Sequence, residues 1–154
     1  MPEVTIEGRV EQGDSAEIFG RLEDLERYSS IADAVRSVQV TREADGSTLS
    51  DWEVNFRNGI LKWQEIDRVD REARTMSFVQ TEGDLASFSG EWRVEGDEDA
   101  TTIHFRADFD LGIPSLATML DPVAERALRS NISELITAFA SPQVAVFAEP
   151  SAAA

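Results

Sequence analysis

The chain has 154 residues, 42% of them hydrophobic, and a formal net charge of −16 at pH 7. This length suits one domain with its own core, and eight Phe and three Trp exclude a disordered acidic protein. The 14 basic residues are scattered among 30 acidic ones, so no nucleic-acid binding is expected. No long apolar run and no signal-peptide pattern occurs, which predicts a cytoplasmic protein without membrane insertion. With no cysteine and one histidine, no disulfide, metal site or cofactor is expected.

The first two thirds of the chain predict one strand, two short helices and a series of antiparallel strands. Residues 3–11 alternate apolar and charged side chains, which indicates a strand with one solvated face. Asp14 or Ser15 is suited to cap a helix that runs to about residue 27, and a short helix or turn follows over residues 28–34. Six further strands are predicted at residues 35–42, 47–57, 60–69, 74–81, 85–95 and 101–110.

After residue 110 the hydrophobic period changes from 2 to about 3.6, which predicts a helix. The helix is expected over residues 122–140, a length of about 28 Å, and residues 141–154 are expected to form a flexible tail. The predicted fold is therefore α+β: a seven-stranded antiparallel sheet wrapped round a long C-terminal helix, with two short helices after the first strand. Residues 1–140 are expected to form a single domain.

Residues 78–92, FVQTEGDLASFSGEW, predict two strands with large rings and a glycine on one face. Alternate side chains of a strand share a face, so Phe78 and Gln80 point one way. Phe88, Gly90 and Trp92 share one face of the next strand in the same manner. Large rings beside the absent side chain of Gly90 suggest a wall with a hollow in front of it, and hence a sheet that wraps a ligand cavity.

The order of elements resembles the helix-grip fold of the START and Bet v 1 superfamily. The segments LKWQEID, QTEGDLASFSGEW and FDLGIPSLATMLDPVAERALRSNISEL are similar to the polyketide cyclase/dehydrase and lipid-transport family, which includes quinone carriers and aromatase/cyclases. The resemblance implies a deep cavity between helix and sheet that holds a hydrophobic molecule. The ligand contacts that it implies are Tyr28, Trp52, Phe56, Trp63, Phe78, Gln80, Phe88, Trp92, Phe105, Leu128, Asn131 and Leu135.

Glu65 and Asp67 are the candidate catalytic residues. They lie two residues apart in a predicted strand and therefore share a face. In an apolar cavity, burial and mutual repulsion raise the pKa of at least one carboxyl toward neutrality, which makes it a usable general acid or base. A solvated strand face is the alternative, because carboxylates are rarely buried. Aromatase/cyclases resemble this chain but carry a cavity arginine at the position of Asp67.

The predicted function is that of a polyketide cyclase or aromatase. It would fold a poly-β-keto or other hydrophobic substrate for aldol cyclisation and dehydration, with Glu65 and Asp67 moving protons and no cofactor. The resemblance implies delivery by an acyl carrier protein, and an exposed edge strand allows a homodimer. The alternative is a non-catalytic carrier of a lipid or quinone, which predicts an apolar pocket with both carboxyl groups outside it.

Overall fold

The computed structural model is described over residues 3–56, 59–96, 100–110, 122–141 and 143–147. The side chains of Phe56 and of residues 122–124 are outside the described part, and so is the predicted ligand contact of Phe56. The strands are β1 (Glu3–Glu11), β2 (Val35–Arg42), β3 (Thr48–Phe56), β4 (Gly59–Asp70), β5 (Thr75–Gly83), β6 (Ser87–Gly96), β7 (Ala100–Asp110) and β8 (Ala145–Phe147). The helices are α1 (Ser15–Glu23), α2 (Tyr28–Ile31) and α3 (Pro122–Ala140), with a 3₁₀ turn at Leu25–Arg27.

The strands form one antiparallel sheet in the order β2-β3-β4-β5-β6-β7-β1-β8. This confirms an α+β fold with a large antiparallel sheet and a C-terminal helix. The prediction of seven strands is wrong, because the described residues form eight. The additional strand, β8, lies in the predicted tail and pairs with residues 8–10 of β1. Three residues in an Ala-rich segment carry no recognisable alternation, and β8 forms because β1 offers an unpaired edge.

The helix α1 begins at its predicted cap. The side chain of Asp14 accepts hydrogen bonds from the backbone N–H groups of Ala16, at 2.9 Å, and Glu17, at 3.2 Å. These bonds satisfy donors that the first turn of a helix leaves open. The helix ends at Glu23, earlier than expected, and the chain continues through the 3₁₀ turn into α2. The α1–α2 segment thereby covers one end of the sheet.

The helix α3 lays its apolar stripe against the inner face of the sheet. Its buried side chains are Leu128, Ile132, Leu135, Ile136, Phe139 and Ala140. Arg21 of α1 donates to the carbonyl oxygen of Phe139 at 2.7 Å, which places a cation at the negative end of the helix dipole. Glu134 accepts from the N–H of Asp33 at 2.6 Å, and Arg129 donates to the carbonyl of Thr5 at 3.1 Å. None of the described helices is both long and apolar enough to cross a membrane.

Gly90 of β6 lies at a crowded point of the inner face. A Cβ at this position would collide with the backbone of Arg106 and Ala107 on β7 and would come within 2.7 Å of the ring of Phe78. The missing side chain therefore gives Phe78 its place beside β7. The hollow that the sequence suggests at Gly90 is filled by this neighbouring ring.

We expect Gly90→Ala to lower the free energy of unfolding by roughly 2 kcal/mol, because the added methyl group overpacks a site bounded by backbone. Gly20→Ala in α1 is the matched control: its Cβ meets nothing within 4 Å. Removing a helical glycine should raise stability by roughly 0.5–1 kcal/mol. Guanidinium chloride unfolding followed by circular dichroism measures both. Equal stability of Gly90→Ala and the wild type would contradict the packing described for Gly90.

Candidate functional site

A closed ring of eight aromatic side chains lies between the sheet and α3; we call it the aromatic belt. Each ring contacts the next with centroids 4.7 to 6.0 Å apart, and the last contacts the first. In order, the members are Tyr28, Trp52, Trp63, Phe88, Phe78, Phe105, Trp92 and Phe139. Trp52 and Trp63 stack face to face at 5.5 Å, and most other pairs meet edge to face or tilted. The belt frames the interior of the fold.

A cavity of about 80 Å³ lies inside this framework. Its lining residues are Leu25, Tyr28, Val35, Trp52, Val54, Trp63, Glu65, Met76, Phe78, Phe88, Trp92, Phe105, Leu128, Asn131, Ile132 and Leu135. Pockets for small organic ligands generally measure roughly 300–1,000 Å³. The inner cavity is therefore apolar and small, with Glu65 as the one ionised or ionisable carboxyl group in its wall.

Glu65 and Asp67 both point into the protein, with 4% and 1% of their surface exposed. The solvated strand face considered as an alternative does not occur. The indole N–H of Trp63 donates to Oε1 of Glu65 at 2.7 Å. The hydroxyl of Ser50 donates to Oδ2 of Asp67 and accepts the indole N–H of Trp52 at 2.8 Å. The two carboxyl groups also hydrogen-bond to each other, and we call them the carboxyl pair.

Strand register explains why these groups meet. Ser50 lies opposite Glu65, and Trp52 lies opposite Trp63, in the ladder between β3 and β4. A bulge occurs where Glu65 pairs with β5, and the extra residue, Thr81, belongs to β5. The alternation along β4 therefore remains intact, so Trp63, Glu65 and Asp67 stay on the inner face.

The carboxyl pair holds a proton that belongs mainly to Glu65. Burial raises the pKa of Glu65 well above its ordinary 4.5, the hydrogen bond and charge of Asp67 raise it further, and the hydrogen bond from Trp63 lowers it. Burial also raises the pKa of Asp67 from 3.8, against hydrogen bonds from Glu65 and Ser50 that lower it. Oδ1 of Asp67 has no donor among the described residues when Glu65 is ionised. A proton on Glu65 is available for that bond, so one proton serves both groups.

Tyr28 contacts the cavity as a neutral phenol. Burial raises its pKa well above 10, and the negative charges of Glu65, Asp67 and Asp24 raise it further. Its hydroxyl donates to the carbonyl oxygen of Leu22 at 2.5 Å. The proton of Tyr28 is thus committed to the backbone, and the ring serves the aromatic belt.

Most of the predicted ligand contacts gather in one place. Of the predicted residues, all line the cavity except Phe56, Gln80 and Asp67. Gln80 instead donates to the carbonyl of Leu85 at 3.0 Å and steadies the turn between β5 and β6. Asp67 lies behind Glu65.

The sequence prediction omits several residues of the site: Leu25, Val35, Ser50, Met76, Ile132 and Phe139. Period 2 links Met76 to Phe78, and Ser50 to Trp52, so these two were within reach of the sequence pattern. Ile132 and Phe139 belong to the predicted helical stripe. Leu25 and Val35 lie at the ends of short elements, where no period reveals a face. No group of three or more His, Asp or Glu in the described part of the chain is arranged to hold a metal ion.

Comparison of the fold identifies the class of protein. A Thermus thermophilus protein superposes with a TM-score of 0.80 at 22% identity, over 90% of this chain and 94% of the other. The ZhuI aromatase/cyclase of Streptomyces sp. R1128 gives 0.76 at 20% identity over 90% and 91%. A START superfamily protein of Mycobacterium smegmatis gives 0.73 at 15% over 90% and 94%. The fold is the helix-grip fold of the START superfamily.

The family follows from the sequence itself. The family model "Polyketide cyclase / dehydrase and lipid transport" matches residues 14–136. The chain belongs to this family. No curated protein matches it significantly.

We expect Glu65→Gln to remove a pH dependence of stability. The glutamine can accept from Trp63 and donate to Asp67, so both hydrogen bonds persist. In the wild type, the folded state keeps the Glu65 proton at pH values where the unfolded chain loses it, so stability falls as pH rises above about 4.5. The loss is about 1.4 kcal/mol per pH unit until the folded pKa is reached.

The stability of Glu65→Gln minus that of the wild type should therefore grow between about pH 4.5 and neutrality, and guanidinium chloride unfolding across this range measures it. Taking the difference cancels the repulsion among the other acidic residues, which both proteins share. A difference that stays constant or shrinks with rising pH would contradict a protonated Glu65.

Proposed function

We propose that this protein cyclises and dehydrates a β-dicarbonyl chain, with Glu65 as the proton donor and acceptor and Asp67 as its partner. The observation that carries the proposal is a carboxylic acid in the wall of an otherwise aromatic and aliphatic cavity. Burying a carboxyl pair costs stability, and a passive carrier gains nothing from that cost. A general acid and base with a raised pKa is what aldol chemistry near neutral pH requires.

The first step is removal of a proton from carbon. When the shared proton resides on Asp67, Glu65 is a carboxylate and takes a proton from a CH₂ group flanked by two carbonyls. The resulting enolate carbon forms a bond with a distant carbonyl carbon of the same chain. The alkoxide oxygen then takes a proton from Glu65, and the carboxyl pair returns to its starting charge.

The second step is loss of water. Glu65 again removes a proton from the carbon between the carbonyls, and the enolate expels the new hydroxyl group as its C–O bond breaks. The leaving oxygen takes the proton from Glu65 and departs as water. No oxidant, reductant or cofactor enters this balance, and the cavity contributes by holding the chain in a reactive conformation.

Substrate binding must enlarge the cavity. A space of about 80 Å³ cannot hold a chain of several keto groups. Leu128, Asn131 and Leu135 bring α3 to the cavity, opposite the stacked Trp52 and Trp63. We expect a substrate to separate α3 from this stack. Delivery by an acyl carrier protein and pairing of two copies through an edge strand stay predictions.

A carrier of a lipid or quinone is the second candidate. It is favoured by the rest of the cavity wall, in which Tyr28, Asn131 and the indole N–H groups are the polar features besides Glu65. A carrier would bind its hydrophobic ligand without changing it. The two candidates differ in whether removing the carboxyl group of Glu65 affects a product or only an affinity.

We expect Glu65→Gln to lower the rate of cyclisation by roughly 10²–10⁴-fold while substrate binding persists, because shape and hydrogen bonds are kept and the proton transfer is lost. Cyclised product formed from a synthetic poly-β-keto thioester, measured above the spontaneous rate, provides the test. Glu53→Gln, the same change at a carboxylate that forms an ion pair with Lys62, is the control.

Full activity of Glu65→Gln would remove Glu65 from the chemistry. A wild-type protein that binds the thioester or a quinone tightly but never exceeds the spontaneous rate would favour the carrier.

A further inference from the structure

A second space lies on the other side of the carboxyl pair; we call it the outer pocket. It measures about 230 Å³ and lies between the α1–3₁₀ segment and the ends of strands β2 to β5. Its lining residues are Gly20, Glu23, Asp24, Leu25, Glu26, Val40, Arg42, Thr48, Asp67, Val69, Arg71 and Met76. The volume is sufficient for several water molecules.

A thin wall separates the outer pocket from the inner cavity. Leu25 and Met76 line both spaces. Asp67 lines the outer pocket only, and Glu65 lines the inner cavity only. Because these two carboxyl groups hydrogen-bond to each other, a single proton-carrying bond crosses the wall.

We propose that the outer pocket is a proton port, through which Asp67 exchanges protons with solvent and passes them to Glu65 in the closed cavity. The proposal rests on the proton-transfer role proposed for Glu65. It adds a route: when a substrate fills the cavity and excludes water, the protonation state of Glu65 is reset from behind.

The hydrogen bonds around Asp67 suit this role. Ser50 occupies Oδ2, and no described residue donates to Oδ1. Asp67 therefore keeps an oxygen that can take a proton from water in the outer pocket or from Glu65. Tyr28 is near the pair but donates to the carbonyl of Leu22, so its hydroxyl proton does not enter the route.

The charges of the outer pocket favour protons. Three carboxylates, those of Glu23, Asp24 and Glu26, surround it in addition to Asp67. Arg71 forms an ion pair with Glu23 at 3.2 Å, and Arg42 is the other cation in the lining. The acidic residues outnumber the basic ones, so the local potential raises the concentration of hydronium rather than that of anions.

The test is the rate at which the Glu65 proton exchanges with solvent. Infrared spectroscopy after transfer into D₂O follows the carbonyl band of the protonated carboxyl group, which Glu65→Gln identifies by removing it. Gly20→Phe fills the outer pocket from an exposed helix position where a Cβ meets no atom within 4 Å. Gly20→Ala adds the Cβ without filling the pocket and is the matched control.

We expect Gly20→Phe to slow the exchange by at least about tenfold, because the remaining route requires local opening of the fold, and Gly20→Ala to exchange like the wild type. Asp67→Asn should slow it similarly, because an amide keeps an acceptor for Glu65 but cannot relay its proton. Glu26→Phe, with Glu26→Gln as control, fills the same pocket from the exposed 3₁₀ turn should Gly20→Phe fail to fold.

Unchanged exchange in the filled variants would overturn the proton port, as would a wild-type band that exchanges only on global unfolding. Because no substrate is present, this result is independent of cyclisation. A protein without cyclase activity can still pass the exchange test, and an active one can fail it.

Discussion

The buried carboxyl pair is the constraint on which the rest of the interior depends. An isolated carboxylate in an apolar site is costly, so Glu65 and Asp67 need a shared proton and fixed donors around them. Trp63 supplies one donor and Ser50 another, and Ser50 is itself fixed by Trp52. These donors stand on the same two neighbouring strands, where antiparallel register brings them into reach. The stacked indoles therefore serve both the packing of the aromatic belt and the electrostatics of the pair.

The same pair separates two spaces with different character. The inner cavity is aromatic and aliphatic, whereas the outer pocket is acidic and bordered by α1 and the 3₁₀ turn. A proton can cross between them without water crossing, since Glu65 belongs to one space and Asp67 to the other. In the resemblance to aromatase/cyclases, the position of Asp67 carries an arginine. The proposed chemistry here therefore depends on a carboxylic acid with a raised pKa instead of a fixed cation.

Much of this arrangement follows from sequence periodicity, because period 2 alone determines which face of a strand a side chain takes. That is why the interior placement of Trp63, Glu65 and Asp67, and the cavity contacts of Phe78, Phe88 and Trp92, could be expected. Closure of the aromatic belt through Phe139 could not, since it depends on how α3 lies across the sheet. Gln80 shows the opposite error: it shares a face with Phe78, but a nearby carbonyl at the β5–β6 turn takes its amide. The strand β8 was missed because its partner edge, rather than its own pattern, makes it a strand.

The central claim is that Glu65 carries a proton inside the cavity at neutral pH. The most direct measurement is a ¹³C NMR titration of the side-chain carboxyl carbons of labelled glutamate, with the Glu65 signal assigned by its loss in Glu65→Gln. The account predicts that this signal keeps the chemical shift of a carboxylic acid at pH 7, while surface glutamates titrate in their ordinary range. A Glu65 signal that titrates near the ordinary 4.5 would contradict it.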